Sequence, residues 1–159
     1  MSSAGGRSPR LVRPSEQAAG FGRTRDDHRS EIAEDYVELI ADLIDAAGEA
    51  RVVDLAHRLG VTAATVNNTV ARLQRDGLVR SEPYRAIFLT DQGRDLALAC
   101  RRRHAIVYAF LRAIGVEDAT ARQVAEGIEH HVSGETLDAF ARVTERLRDD
   151  AGTGRDGAA

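Results

Sequence analysis

The stretch VVDLAHRLGVTAATVNNTVARLQRDG, residues 52–77, decides the fold. Val52–Leu59 carries apolar side chains at helical spacing, and Gly60-Val61 interrupts the pattern. Thr62 then stands where a helix N-cap belongs, because its hydroxyl can accept a backbone N–H that the first turn leaves unbonded. The next helix turns Val66, Val70 and Leu73 inward and closes at Gly77. Two helices joined by a few residues containing Gly form a helix-turn-helix. Downstream, Leu78–Ser81 and Ala86–Leu89 are short β-like runs flanking Glu82-Pro83-Tyr84-Arg85, which gives a two-stranded wing. Upstream, Ile32, Tyr36, Leu39, Ile40, Leu43 and Ile44 recur at spacings of three and four between His28 and Ala47, and Gly48 ends that helix. A winged helix-turn-helix over residues 28–90 is the expectation.

From Asp91, with Thr90 as its cap, the helical pattern returns through Leu96, Ala99, Cys100 and Ala105 to Leu111 and breaks at Gly115. Two further helices fit Asp118–His131 and Ser133–Leu147. The predicted class is therefore mostly α, with the N-terminal winged helix-turn-helix followed by an α-helical domain over 91–148. Residues 1–27, rich in Gly, Ser, Arg and Ala without a hydrophobic period, read as a flexible arm, and 149–159 (DDAGTGRDGAA) as a flexible tail.

The 159 residues suit one domain or two small units sharing a core. No apolar run is long enough for a membrane span or a signal peptide, so a cytoplasmic protein with no membrane partner is expected. One cysteine cannot form an internal disulfide, and 4% aromatics with no Trp argue against aromatic stacking platforms. All 22 basic residues are Arg. The net charge of −3 looks wrong for a nucleic-acid binder, but its distribution does not. Residues 30–50 carry seven acids and no base, whereas 51–85 carry six Arg against three acids. A basic block thus directly follows an acidic one.

Within the reading helix, Ala63, Ala64, Asn67, Asn68 and Arg72 are left to face a DNA groove. Asn can pair bidentately with adenine and Ala can meet a thymine methyl. Arg51 and Arg85 are phosphate-contact candidates, with solvated surface Arg as the alternative. The cluster Arg7, Arg10, Arg13, Arg23, Arg25 and Arg29 reads either as a DNA-backbone arm or as a featureless tail.

The densest chemical cluster is Glu126-Gly-Ile-Glu129-His130-His131. On a helix Glu126, Glu129 and His130 are i, i+3 and i+4, so two carboxylates and an imidazole share one face. Asp35 and Glu38 form a second i, i+3 pair on the first helix, and His104 stands on the helix between. Each group alone also fits a solvated surface, but like charges on one face repel unless a cation neutralises them. Cys100 is most simply a buried small hydrophobe. A zinc hydrolase needs H-E-x-x-H or its inverse, and Glu126 stands where the inverse motif requires His, so no enzyme is expected.

EDYVELI (34–40), the helix-turn-helix, PYRAIFLTDQG (83–93), RRRHAIVYAFLRAIGV (101–116) and AEGIEHHVSGETLDAF (125–140), in that order, closely resemble the manganese-sensing transport regulators of the diphtheria-toxin-repressor family. The similarity covers roughly residues 20–145. It implies a metal-dependent repressor of metal-uptake genes with Asp35, Glu38, His104, Glu126, Glu129 and His130 as ligands. The family's iron-sensing branch holds Met and Cys at the positions of Asp35 and Glu126, so oxygen at both implies the manganese branch, with an iron or mixed response as the alternative. Such a hard oxygen-and-imidazole set suits Mn²⁺ or Fe²⁺. Four carboxylates balance two divalent cations per subunit. Members of the family tend to carry Lys where this chain has Asn68. The apolar stretch AIVYAFL (105–111) exceeds what the chain needs internally and is expected to form part of a homodimer interface, so that two heads read operator half-sites about one turn of double-stranded DNA apart. A winged-helix regulator that binds no metal is the remaining alternative.

Overall fold

The computed structural model describes residues 11–81 and 86–153. Helix α1 spans Pro14–Ala47, α2 Val52–Leu59 and α3 Ala63–Arg75; strands β1 (Val79–Ser81) and β2 (Ile87–Leu89) follow, then α4 (Asp91–Ala113), α5 (Asp118–Ile128), a single 3₁₀ turn (Glu129–His131) and α6 (Gly134–Thr153). The mostly α class and the winged helix-turn-helix are as expected.

The caps show why the chain folds this way locally. Thr62 Oγ1 accepts the Thr65 N–H at 3.2 Å and starts α3. Gly48 and Gly60 end α1 and α2 in the left-handed conformation, at φ 82° and 66°, which a side chain would strain. Thr90 Oγ1 accepts the Gly93 N–H at 3.0 Å and donates to the Gly77 carbonyl at 2.7 Å, fixing the start of α4 to the end of the reading helix. A Cβ on Gly93 would stand 2.0 Å from the Leu78 carbonyl oxygen, so that junction admits only glycine.

The hairpin is antiparallel with Val79 opposite Leu89 and Ser81 opposite Ile87. The Ile87 N–H also bonds the Ala50 carbonyl at 2.8 Å, joining the wing to the α1–α2 connection. Over this frame Tyr36, Val37, Ile40 and Leu43 of α1 pack with Leu55, Val66, Val70, Leu73, Val79, Ile87 and Leu89 in one aliphatic core. Helix α4 leaves that core at Ala97 and packs against α1, α5 and α6. Phe110 stacks on Phe140 with ring centroids 4.0 Å apart.

Three boundaries differ from expectation. Helix α1 begins at Pro14, not His28, so 14–27 of the expected flexible arm are helical. Pro suits the first helical position, and the side chains that follow are exposed almost throughout. A helix that packs on nothing has no hydrophobic period to read. Helix α6 continues past the expected tail boundary to Thr153. Helix α5 stops at Ile128, not at the expected His131, and gives way to the 3₁₀ turn that carries Glu129 and His130. The ends of the expected arm and tail, residues 1–10 and 154–159, and the wing tip with Arg85, lie outside the described residues.

Candidate metal centre and reading face

Asp35 and Glu38 come from the middle of α1, His104 from α4, Glu126 from α5, and Glu129 and His130 from the 3₁₀ turn. All six expected ligands meet where α1, α4 and α5 converge. One donor atom each from His104, Glu126 and Glu129 lies within 4.8 Å of the others, a spacing that one ion can fill. His104 Nδ1 is 2.6 Å from Glu129 Oε2 and 3.6 Å from Glu126 Oε1. On the other side of Glu129, His130 Nε2 lies 3.8 Å from its Oε1 and 3.3 Å from Asp35 Oδ1. Glu129, 1% exposed, therefore turns one oxygen to each imidazole. Asp35, Glu38, His104 and Glu126 line one open cleft with Arg58 and Arg101. His131, one residue on, is exposed and turned away.

The electrostatics are those of a site built for positive charge. Burial, then the carboxylates of Glu129 and Glu126, push Glu38 up to about 7. Burial likewise raises Asp35 and Glu129 above the ordinary carboxylate range. Burial pulls His130 down, but the Glu34 hydrogen bond and the charges of Asp35, Glu34 and Glu129 outweigh it, and the imidazole holds its proton more tightly than usual. A divalent cation would replace those protons and relieve the repulsion. Cys100, one turn before His104, is buried, and its thiol is pushed up to about 12 by burial and then by Glu34. Its burial agrees with its reading as a small hydrophobe. The donors present are thus carboxylate oxygen and imidazole nitrogen, which fit a hard divalent cation.

Two further residues belong to this site that the sequence pattern did not single out. Glu34 is 8% exposed, accepts the His130 Nδ1–H at 2.6 Å and pairs with Arg103 of α4. Both lie in the stretches EDYVELI and RRRH, but a charged residue beside a ligand carries no mark of facing inward. Farther along the same seam Arg101 binds Asp42 at 2.5 Å and Asp45 at 3.1 Å.

On the face expected to meet DNA, Ala63, Ala64, Asn67 and Asn68 of α3 are exposed. Ala63 and Asn67 share a groove with Val70, Ala71 and Gln74, bounded across by Ser81 and Phe88 of the hairpin. Ala71 and Gln74 lie one and two turns beyond Asn67 on its own face, a position that helical spacing could have supplied. Arg51 reaches this groove but is paired with Glu49 at 2.5 Å. Arg72 departs from expectation: it is half-buried, and its Nη2 finds no hydrogen-bond partner among the described residues. It adjoins Leu73 at the edge of the buried face, which turns it toward the core side.

Comparison with known proteins agrees with both halves. Residues 28–87 match the iron dependent repressor N-terminal DNA binding domain, and residues 90–154 match the iron dependent repressor metal binding and dimerisation domain. The chain is 51% identical over 136 residues to the transcriptional regulator MntR of Escherichia coli O157:H7, covering 86% of this chain and 88% of that one. It is 37% identical over 117 residues to the HTH-type transcriptional regulator MntR of Bacillus velezensis, covering 74% and 82%. Among solved structures, a manganese-dependent transcriptional repressor in complex with manganese superposes with a TM-score of 0.64 at 31% identity, over 71% of this chain and 52% of that chain. This chain therefore spans about half of that solved protein. The chain belongs to the iron-dependent repressor family, also called the diphtheria-toxin-repressor family, and stands within it beside the MntR transcriptional regulators.

Proposed function

We infer that this chain is a manganese-dependent, DNA-binding transcriptional repressor, silencing metal-uptake genes when Mn²⁺ is bound. The observation that carries this is Glu129, buried between His104 and His130 and facing each with a different oxygen. Asp35, Glu38, His104, Glu126, Glu129 and His130 would hold the metal, and four carboxylates would balance the charge of two divalent ions per subunit. Divalent cations supply there the positive charge that lets four carboxylates share one space.

The residues do the coupling. Asp35 and Glu38 are rigid parts of α1, whose next two turns, Ile40 and Leu43, sit in the core of the reading head. His104, Glu126, Glu129 and His130 belong to the other half. Drawn to common cations, the two sets hold the head at one angle. Such coupling between effector and DNA is typically about 1–3 kcal/mol, or roughly 5- to 150-fold in affinity. A homodimer gives the second head, and in the AIVYAFL stretch only Val107 is buried within the chain. Ile114, Val124 and Ile128 add exposed apolar surface at 51%, 38% and 37%. Asn67, Asn68, Ala63 and Ala64 are assigned to base contacts, and Arg51 and Arg85 to phosphate contacts. No helix among the described residues is long and apolar enough to cross a membrane, and we place the protein in the cytoplasm with its DNA. No catalytic role is assigned to any residue. Fe²⁺ suits the same donors and is the second activator to test.

The test is duplex binding at one fixed salt concentration, with sites selected from a random DNA pool at saturating Mn²⁺ and then titrated with Mn²⁺, Fe²⁺, Zn²⁺ or chelator. Tight binding with Mn²⁺ that chelation abolishes is expected. Equal affinity with chelator and with Mn²⁺ would overturn the reading, and a ranking led by Zn²⁺ would overturn the hard-donor argument.

A further inference from the structure

Glu34 immediately precedes Asp35, yet the two side chains reach opposite nitrogens of the same imidazole. Glu34 Oε2 accepts the His130 Nδ1–H at 2.6 Å, while His130 Nε2 faces Asp35 Oδ1 at 3.3 Å and Glu129 Oε1 at 3.8 Å. The imidazole is 4% exposed at its side chain, so water does not compete for either nitrogen. A carboxylate can only accept, so its bond to Nδ1 keeps a proton there and leaves Nε2, which faces the cleft, as the nitrogen that can give up its proton to a cation. Arg103 of α4 pairs with the same Glu34 oxygen and also reaches Cys100 Sγ at 3.3 Å. The guanidinium offsets part of the Glu34 charge and holds the oxygen back from the cleft.

We propose that Glu34, anchored by Arg103, is the positioning residue of His130: it selects the Nδ1–H tautomer, aims Nε2 at the metal, and ties the 3₁₀ turn to α1. Metal ligands are commonly oriented by such outer hydrogen bonds, and losing one costs about 10- to 100-fold in metal affinity. The proposal rests on the cleft being the Mn²⁺ site, and a titration of the parent protein tests that premise separately.

The experiment compares the parent, Glu34→Ala, Glu34→Gln and the double variant Glu34→Met/Arg103→Met, each as the full chain. Free Mn²⁺ is followed by electron paramagnetic resonance during titration, and the His130 ring is followed by ¹⁵N NMR in chelator at a pH alkaline enough for the ring to be neutral. Glu34→Ala should bind Mn²⁺ about 10- to 100-fold more weakly and lose the single tautomer. Glu34→Gln, whose amide oxygen still accepts from Nδ1, should keep the tautomer and stay within about threefold of the parent. The double variant leaves no unpaired charge on Arg103, so it reports the same loss even if the Ala variant fails to fold. Parental affinity in the double variant would overturn the proposal. A loss in Glu34→Gln as large as in the double variant would also overturn it, since that outcome makes Glu34 a direct ligand. A parent that binds no Mn²⁺ would overturn the functional reading itself.

Discussion

The reading head and the metal end are held together by opposite means. In the head, Val37, Ile40, Leu55, Val66, Leu73 and Ile87 are 0% exposed and form one continuous aliphatic core. Each such side chain contributes about 1.5–3 kcal/mol through removal from water. Among the described residues beyond Ala97 the buried apolar ones are Cys100, Val107, Ala121 and Ala125, while the buried polar side chains described, Glu34, Glu129 and Thr144, gather in or beside that half. The head is shaped by what water excludes, whereas the metal end is shaped by charges that need partners. A domain of the first kind keeps its form under any condition that keeps it folded. One of the second kind changes with the ions and protons available, as a sensor must.

The sharpest way to break the contrast is to damage each region separately. Ile40→Ala opens a cavity in the head core and should cost about 2–5 kcal/mol in urea unfolding. Its cost should be equal in Mn²⁺ and in chelator, because Ile40 lies in the aliphatic core and is not one of the six candidate ligands. A cost that differs between the two conditions would show that the two regions do not divide the work in this way.

Glu129→Ala strikes the other side. Removing the shared carboxylate should weaken Mn²⁺ binding by more than about 100-fold, beyond what an outer hydrogen bond costs, measured by titration against free Mn²⁺. The unfolding midpoint in chelator should fall less than in Ile40→Ala, since burial already works against the Glu129 charge. DNA binding should be lost only as a consequence and partly return with a large excess of Mn²⁺.

Asn67→Ala removes the proposed base contact from the head without touching its core, Asn67 being exposed in the groove beside the hairpin. It should cost about 1–3 kcal/mol of discrimination between selected and random DNA. Mn²⁺ affinity should stay at the parent value, and no amount of Mn²⁺ should restore discrimination. An unchanged ratio at fixed salt would remove Asn67 from the reading surface.

The same contrast explains what could be read from the sequence. The head was legible because its core repeats at helical spacing and its ends are punctuated by Gly48, Gly60, Thr62 and Thr90, each with a local backbone reason. The six donors were legible as types, through motif resemblance and through like charges crowding one face. Glu34 and Arg103 were not, because an inward-facing charge has the same letter as a solvated one, and only the packing of α1 on α4 separates them. The 14–27 stretch of α1 escaped for the converse reason, since periodicity records burial and that stretch buries almost nothing. Arg72 sits beside Leu73 at the margin of the buried face, where spacing alone does not decide the side.

The smallest expected effect is the dependence of stability on pH, and its sign separates the two regions without any mutation. Glu38 is raised from 4.5 to about 7, so the folded state holds that proton more tightly than the unfolded chain. Its contribution is full below about 4.5 and is lost as pH rises through about 7. Asp35 and Glu129 are raised as well, and His130 is raised above 6.5, so all four act in the same direction. In chelator the protein should therefore lose about 1–2 kcal/mol between about pH 5 and pH 8, after allowance for solvent screening in a cleft open to water. In Mn²⁺ the order should invert, because the cations displace those protons and bind more tightly as pH rises. Urea midpoints at both pH values, with chelator and with Mn²⁺, measure this directly. Ile40→Ala should displace all four midpoints by a similar amount, since its cavity carries no titratable group. A stability in chelator that rises with pH would mean that the acidic cleft does not hold its protons in the folded protein, and the charge-balance account of the metal end would fall with it.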